Sequence, residues 1–382
     1  MADLSGACDL AAPGLAIIHK GDNMPTGQTR LIDLLDDMSS GKDVFFRMVR
    51  RVEDAMTEKV KTLRLDDTLE TSLKFMKGNK VRHIPVVDNP TGEAGKQCLV
   101  GVVSQRDVFR QISPYVGKIG QIESDLKALK QPITQIITRN PKCVCTDTTI
   151  ADAITIMIDN HIDILPVLSG QHLTGVVSTT DILRLFVRLN AVCLLCRNTE
   201  KKQPAERVVD LLGGNSQKAK VDVLSVFQTV RDIMTEQPVC MESNGTLAKA
   251  MDIMRKGKFR HVPVVEKQKK LVGVISDRDI LLNLPFRCGQ SKRLADVFRD
   301  RLFDVALNEP AVRQEVRKLM KSDAACVLPD CEFHTAVAML YDRKISCLPV
   351  VDQEKNLLGI VTVTDVMRGL LAAYRLFNKT GS

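Results

Sequence analysis

A chain of 382 residues, 44% hydrophobic and 26% charged, has the make-up of a globular protein with room for two or three cores. Aromatics total 4% and tryptophan is absent, so the cores must be aliphatic, and a single-strand nucleic-acid binder would lack its stacking platforms. The net charge of +8 is mild for this length; it is compatible with an anionic ligand and demands none.

The N-terminal stretch MADLSGACDLAAPGLAII carries acidic residues where a secretory signal needs basic ones, and Pro13-Gly14 splits its apolar run. No apolar stretch reaches the length of a membrane span. Eleven cysteines, an odd number scattered along a large chain, make no disulfide framework. The expected compartment is the cytoplasm.

Along the chain, residues 1–29 read as an N-terminal arm, followed by four units at 30–115, 116–198, 199–290 and 291–382. Each unit carries a proline in an apolar strand: Pro85, Pro166, Pro263 and Pro349. Sixteen residues before each lies Leu69, Ile150, Leu247 or Phe333, opening a helical stripe such as Leu69/Leu73/Met76 or Leu247/Met251/Met254. Thirteen residues earlier still sit Met56, Ile137, Met234 and Met320. After each proline strand a second strand runs into GVVSQRD, GVVSTTD, GVISDRD or GIVTVTD, with glycine and aspartate always six apart. Each unit is therefore expected to be a short strand, a helix, two antiparallel strands and a second helix, an α+β arrangement. The first hairpin is longest, its surplus falling in the Gly/Pro-rich DNPTGEAGKQ. The stretch from Arg30 resembles that from Arg207, and units 1 and 3 share Arg-His before the proline where units 2 and 4 have Asp163-Ile164 and Ser346-Cys347. The chain reads as a doubled pair, (1+2) and (3+4).

A strand with a central Pro-Val, followed by Gly-h-h-(Ser/Thr)-x-x-Asp opening a helix, resembles the CBS domain, and the resemblance covers about Val52 to Phe377. It implies two tandem CBS pairs packed through their sheets, with clefts that bind AMP, ADP, ATP or S-adenosylmethionine. Four units without a catalytic domain are similar to free-standing bacterial CBS proteins and to the γ subunit of AMP-activated protein kinase. The expected role is thus a regulatory ligand sensor and not an enzyme, with no catalytic cofactor and an unnamed protein target. Whether the pairs join within one chain as a disc or between chains as a homodimer stays open. The rival readings are a structural scaffold without ligand and a nucleic-acid-binding protein.

The candidate ligand residues follow the repeat. Ser104 and Asp107, Ser178 and Asp181, Ser276 and Asp279, and Thr362 and Asp365 place a hydroxyl at a helix start, with a carboxylate able to accept from ribose hydroxyls. A capping box accounts for the same residues without a ligand, although glutamate is the commoner choice there. Arg82, His83, Arg260 and His261, with Arg106 and Arg278, form a candidate phosphate patch. Thr180 and Thr364 take the arginine position in the even units and suit a less charged group. Cys193 and Cys196 have C-x-x-C spacing, but in an apolar helical run they read as packing, so no metal is expected. SSGKD lacks the glycine and hydroxyl of a P-loop, and KQKK at 267–270 reads as a hairpin tip.

Overall fold

The computed structural model describes residues 51–88, 97–112, 116, 122–187, 228–283 and 310–380. The N-terminal arm, most of the first hairpin's surplus and the Cys193/Cys196 pair lie outside the described residues. All described residues belong to one of the two units into which the chain divides, Val49–Lys201 with Lys218–Ser382.

Unit 1 holds β1 (Leu63–Arg64), α1 (Leu69–Asn79), β2 (His83–Asp88), β3 (Cys98–Ser104) and α2 (Gln105–Phe109). A connecting helix α3 (Glu123–Leu129) leads to unit 2, with β4 (Thr138–Arg139), β5 (Val144–Cys145), α4 (Ile150–Asp159), β6 (Ile164–Ser169), β7 (His172–Ser178) and α5 (179–187). Unit 3 has β8 (Thr235–Glu236), β9 (Met241–Glu242), α6 (Leu247–Gly257), β10 (His261–Glu266), β11 (Lys270–Ser276) and α7 (Asp277–Asn283). Unit 4 has α8 (Phe333–Asp342), β12 (Cys347–Val351), β13 (Leu357–Thr362) and α9 (Val363–Thr380).

Local chemistry accounts for these elements. Thr68, Thr149 and Thr246 cap α1, α4 and α6 by accepting the amide three residues on. The stripes read from the sequence face inward: Leu69, Met76, Leu247, Met251 and Met254 are all buried. α1, α4, α6 and α8 each end one or two residues before a left-handed residue: Lys80, His161, Lys258 and Lys344, with φ of 54, 54, 52 and 53°. None is glycine, and all lie five residues before the repeat proline. The proline strands pair antiparallel with their successors, and a bulge follows the proline at the same place in all four, for example between Val86 and Val87. KQKK, exposed between β10 and β11, is the hairpin tip read from the sequence.

The pairing of units rests on an exchange. β4, at the start of unit 2, pairs with β3 of unit 1, and Thr57 of unit 1 bridges to Val176 of unit 2. β8 of unit 3 likewise pairs with β13, while Lys321 of unit 4 bridges to Val274. Each crossing segment lies on the repeat glycine of its neighbour. A Cβ on Gly101 would stand 2.5 Å from the Thr138 carbonyl, and one on Gly175 2.7 Å from the Met56 sulfur. Gly273 meets Met320 and the Lys321 carbonyl, and Gly359 meets Met234 and the Thr235 carbonyl. The turns before these segments complete the other unit's core: Ile133 and Ile136 pack with Leu69 and Ile84, and Val52 packs with Ile154 and Leu165. The pairs also interlock. Leu183 and Phe186 of α5 enter the core of unit 4, where Phe186 meets Phe333 edge-on at 5.2 Å, while Met367 and Leu371 of α9 enter that of unit 2.

Two tests follow from the exchange. Gly101→Ala should destabilise by about 1–3 kcal/mol, because backbone stands where the methyl must go. Gly78→Ala, with nothing within 4 Å, should stabilise by a few tenths to about 1 kcal/mol. Thermal melts decide, and equal effects would refute the close-approach argument. Fragment 50–115 lacks Ile133 and Ile136 and should not melt cooperatively, whereas 30–198 and 205–382 keep their exchanged turns and should melt below the full chain.

Candidate ligand site

The four repeat aspartates all make the capping box. Asp107 Oδ2 accepts from the Ser104 amide at 3.2 Å and hydroxyl at 2.5 Å, while the Asp107 amide donates to Ser104 Oγ at 3.2 Å. Ser178/Asp181, Ser276/Asp279 and Thr362/Asp365 repeat this bond for bond. Choosing aspartate over glutamate therefore does not argue against the cap. One oxygen, Oδ2, fixes the helix start, and the other, Oδ1, is aimed elsewhere.

That second oxygen meets a cation in each unit. Arg110 Nη1 lies 3.2 Å from Asp107 Oδ1, Arg184 Nη2 2.6 Å from Asp181 Oδ1, and Arg368 Nη1 3.7 Å from Asp365 Oδ1, each three residues along its own helix. Unit 3 has Leu282 at that register, and Lys321 of unit 4 reaches Asp279 Oδ1 instead, at 3.6 Å. Lys321 follows Met320 as Thr57 follows Met56, and Thr57 Oγ1 donates to Asp181 Oδ1 at 3.3 Å across the unit boundary. At these two boundaries the residue after the crossing Met thus confronts the neighbour's aspartate. Across the four copies it is threonine at 57, 138 and 235, and lysine only at 321.

The predicted basic residues converge where units meet. Arg82 Nη2 donates to the Lys344 carbonyl of unit 4 at 2.7 Å. Arg260 donates to the His161 carbonyl at 2.9 Å and to Asp163 Oδ2 at 2.8 Å, both of unit 2. Arg106 pairs with Asp277 at 2.9 Å and lies 3.6 Å from Asp163, and Arg278 donates to Gln105 Oε1. Four guanidinium groups thus gather here, of which Arg106 and Arg260 pair directly with Asp163 and Asp277, while Asp107 and Asp279 act on the cluster through charge. Burial pushes the Arg82 guanidinium down, with Arg278 and Arg106 adding to the effect, and Arg278 is lowered by burial and by Arg106. Burial works to raise the Asp163 carboxyl, but Arg260, His83 and Arg106 outweigh it and hold it below its ordinary value. His83 and His261 are lowered to about 4, chiefly by burial.

Arg82, His83, Arg106, Arg260, His261 and Arg278 are therefore drawn together, whereas Thr180 and Thr364 stand at the register of Arg106 and Arg278 in the even units. Sequence reasoning missed Thr57, Lys321, Gln105 and Asp277. The constant spacing of the crossing Met/Ile was a usable signal for the first two, since it marked a contact with no assigned purpose. No group of three or more His, Cys, Asp or Glu suited to a metal occurs among the described residues. The described cysteines are free, and burial drives the Cys347 thiol up to about 12. No helix among the described residues is long and apolar enough to cross a membrane.

The CBS domain family model matches residues 52–114, 133–188, 230–285 and 316–372, together more than half of the chain. The sequence is 27% identical over 172 residues to the uncharacterized protein MJ1426 of Methanocaldococcus jannaschii, covering 40% of this chain and 96% of that protein. It is 30% identical over 153 residues to MJ1225 of the same organism, covering 40% of this chain and half of that protein. The crystal structure of MJ1225, described as a putative archaeal homologue of the AMP-activated protein kinase γ subunit, matches with a TM-score of 0.54 at 19% identity, covering 84% of this chain and 99% of that one. A structure of CBSX2 in complex with AMP matches at 27% identity with a TM-score of 0.31, covering 39% of this chain and 99% of that one.

The histidines set an acid limit. With folded values near 4 and an ordinary value of 6.5, both imidazoles stay neutral in the folded chain while the unfolded chain takes up protons. Stability is therefore complete above pH 6.5 and falls as pH drops towards 4, by up to about 1.4 kcal/mol per pH unit for each proton. His83→Gln/His261→Gln should flatten that slope in melts between about pH 6.5 and 4.5. An unchanged slope would mean these rings titrate normally.

Proposed function

This chain belongs to the CBS domain family, and on that footing we propose that it is a non-catalytic regulatory protein of the cytoplasm that senses adenosine-containing nucleotides in the clefts between paired units. The carrying observation is the junction, where four arginines gather with Asp163 and Asp277, beside aspartates whose second oxygen is aimed away from the cap. The ribose hydroxyls would donate to Oδ1 of Asp107, Asp181, Asp279 or Asp365 beside the hydroxyls of Ser104, Ser178, Ser276 and Thr362. The phosphates would take Arg82, Arg106, Arg260 and Arg278, with His83 and His261 as neutral donors. Thr180 and Thr364 would line the less charged even-unit side. A surplus of guanidinium favours AMP, ADP or ATP over S-adenosylmethionine, whose sulfonium it repels.

Ligand bridging two units would stabilise one relative orientation and change the surface offered to a protein target. A scaffold would keep its caps and bind nothing; a nucleic-acid binder would show a steep salt dependence with oligonucleotides and ignore AMP.

Calorimetric titration of adenosine, AMP and ATP separates these readings. Arg260→Ala should weaken AMP and ATP about ten- to a hundredfold, as expected for one charge-assisted hydrogen bond, and spare adenosine. Asp279→Ala should weaken all three alike and, because its cap is real, also lower stability by about 1 kcal/mol. Equal losses for adenosine and ATP in Arg260→Ala would remove the phosphate assignment. A loss of stability in Asp279→Ala with binding intact would leave the cap alone.

A further inference from the structure

The residue three before the repeat proline is Arg82, Asp163, Arg260 and Ser346 in the four units. Two of these positions make the same contact twice. Arg82 of unit 1 donates to the carbonyl of Lys344 in unit 4, and Arg260 of unit 3 donates to the carbonyl of His161 in unit 2. Lys344 and His161 are the equivalent left-handed residues that close the first helix of their units, so a single turn type presents both carbonyls. Two residues further on the likeness ends. Unit 4 offers the neutral Ser346, while unit 2 offers Asp163, whose Oδ2 takes the other arm of the Arg260 fork at 2.8 Å and lies 3.6 Å from Arg106.

We propose that Asp163 is a built-in anion that sets the phosphate selectivity of the junction: it occupies the Arg260 fork, so that a ligand phosphate gains this arginine only by displacing the carboxylate. Arg260 is then masked, whereas its counterpart Arg82 donates to the Lys344 carbonyl, beside which the residue equivalent to Asp163 is the uncharged Ser346, so the two arginines are unequal for phosphate. Displacement also breaks a bond between units 2 and 3, so phosphate binding on the Arg260 side acts on the contact between the pairs. The inference rests on the nucleotide reading above and adds to it which arginine is held in reserve and by what.

The test makes unit 2 resemble unit 4. In the full chain, Asp163→Ser should tighten AMP about tenfold, as expected for releasing one charge-assisted contact, and leave adenosine unchanged, as measured by calorimetry. In Arg260→Ala/Asp163→Ser that gain should vanish. Asp163→Asn, which keeps the shape and an acceptor, serves if the serine variant fails to melt cooperatively, and should move AMP in the same direction. Unchanged or weaker AMP binding in a folded variant overturns the proposal, as does a lower melting temperature alone, which would make Asp163 a mere tie between units. If neither wild type nor variant binds AMP or adenosine, the nucleotide reading falls and this inference with it. If both bind AMP equally, only the role of Asp163 falls.

Discussion

At four places the chain lays one unit's leading segment against the repeat glycine of its neighbour, close enough that a single methyl would collide with backbone or a crossing side chain. Leading segments can run across the boundary only where the second strand offers no side chain, and once across they continue the neighbouring sheet. The turns before them then supply Ile133, Val52, Val316 and Val230 to the other unit's core. A lone unit is thus incomplete in its core as well as exposed on its sheet face. The same crossing brings Thr57 to Asp181 and Lys321 to Asp279. Both contacts are therefore consequences of the pairing, each made of one residue from each side.

Desolvation of like charges dominates the electrostatics of the junction. Arginines from units 1 and 3 are held at the boundary, and burial together with their mutual repulsion lowers the Arg82 and Arg278 guanidinium groups from their ordinary value. Asp163 and Asp277 relieve part of this, and backbone carbonyls and Gln105 satisfy further donors. A charged cluster of this kind contributes little net stability, since desolvation offsets most of the Coulombic gain. Apolar residues would hold the pairs together as well; on the nucleotide reading proposed above, the charged cluster would add the ability to distinguish a phosphate from a hydroxyl.

Much of this was legible in the sequence because the repeat repeats. Constant spacing placed the proline strands, the inward stripes and the aspartate at the second helix, and a single insertion would have broken it. The basic pair before Pro85 and Pro263 was legible as a cluster for the same reason. Partners across unit boundaries were not. Nothing in the spacing of Arg82 points to a carbonyl at Lys344, 262 residues away, or pairs Arg278 with Gln105. The crossing Met/Ile and the glycine it meets were both visible as constants, yet a constant shows that a contact exists without showing with what. Lys321 is the instructive miss. It breaks a threonine pattern that acquires meaning only when the segment is seen lying against Asp279.

The weighing of cap against ligand at the aspartates also has a physical resolution, because the two duties use different atoms. Oδ2 accepts from the Ser/Thr amide and hydroxyl, which holds the rotamer and leaves Oδ1 turned away from the cap. A ribose would meet an acceptor whose ordering cost is already met by folding, and preorganisation of that kind raises affinity without a new contact. Glutamate, the commoner capping choice, carries one more rotatable bond and would place its second oxygen less tightly. Aspartate in all four copies thus makes the cap with Oδ2 and leaves Oδ1 for the second role proposed above. The cations beside Oδ1 fit the same scheme, since Arg110, Arg184, Arg368 and Lys321 hold that oxygen in place by charge. Three of them rise from the aspartate's own helix and one comes from the partner unit. At Asp279 alone, therefore, the cation that steadies the acceptor depends on how the two units sit together.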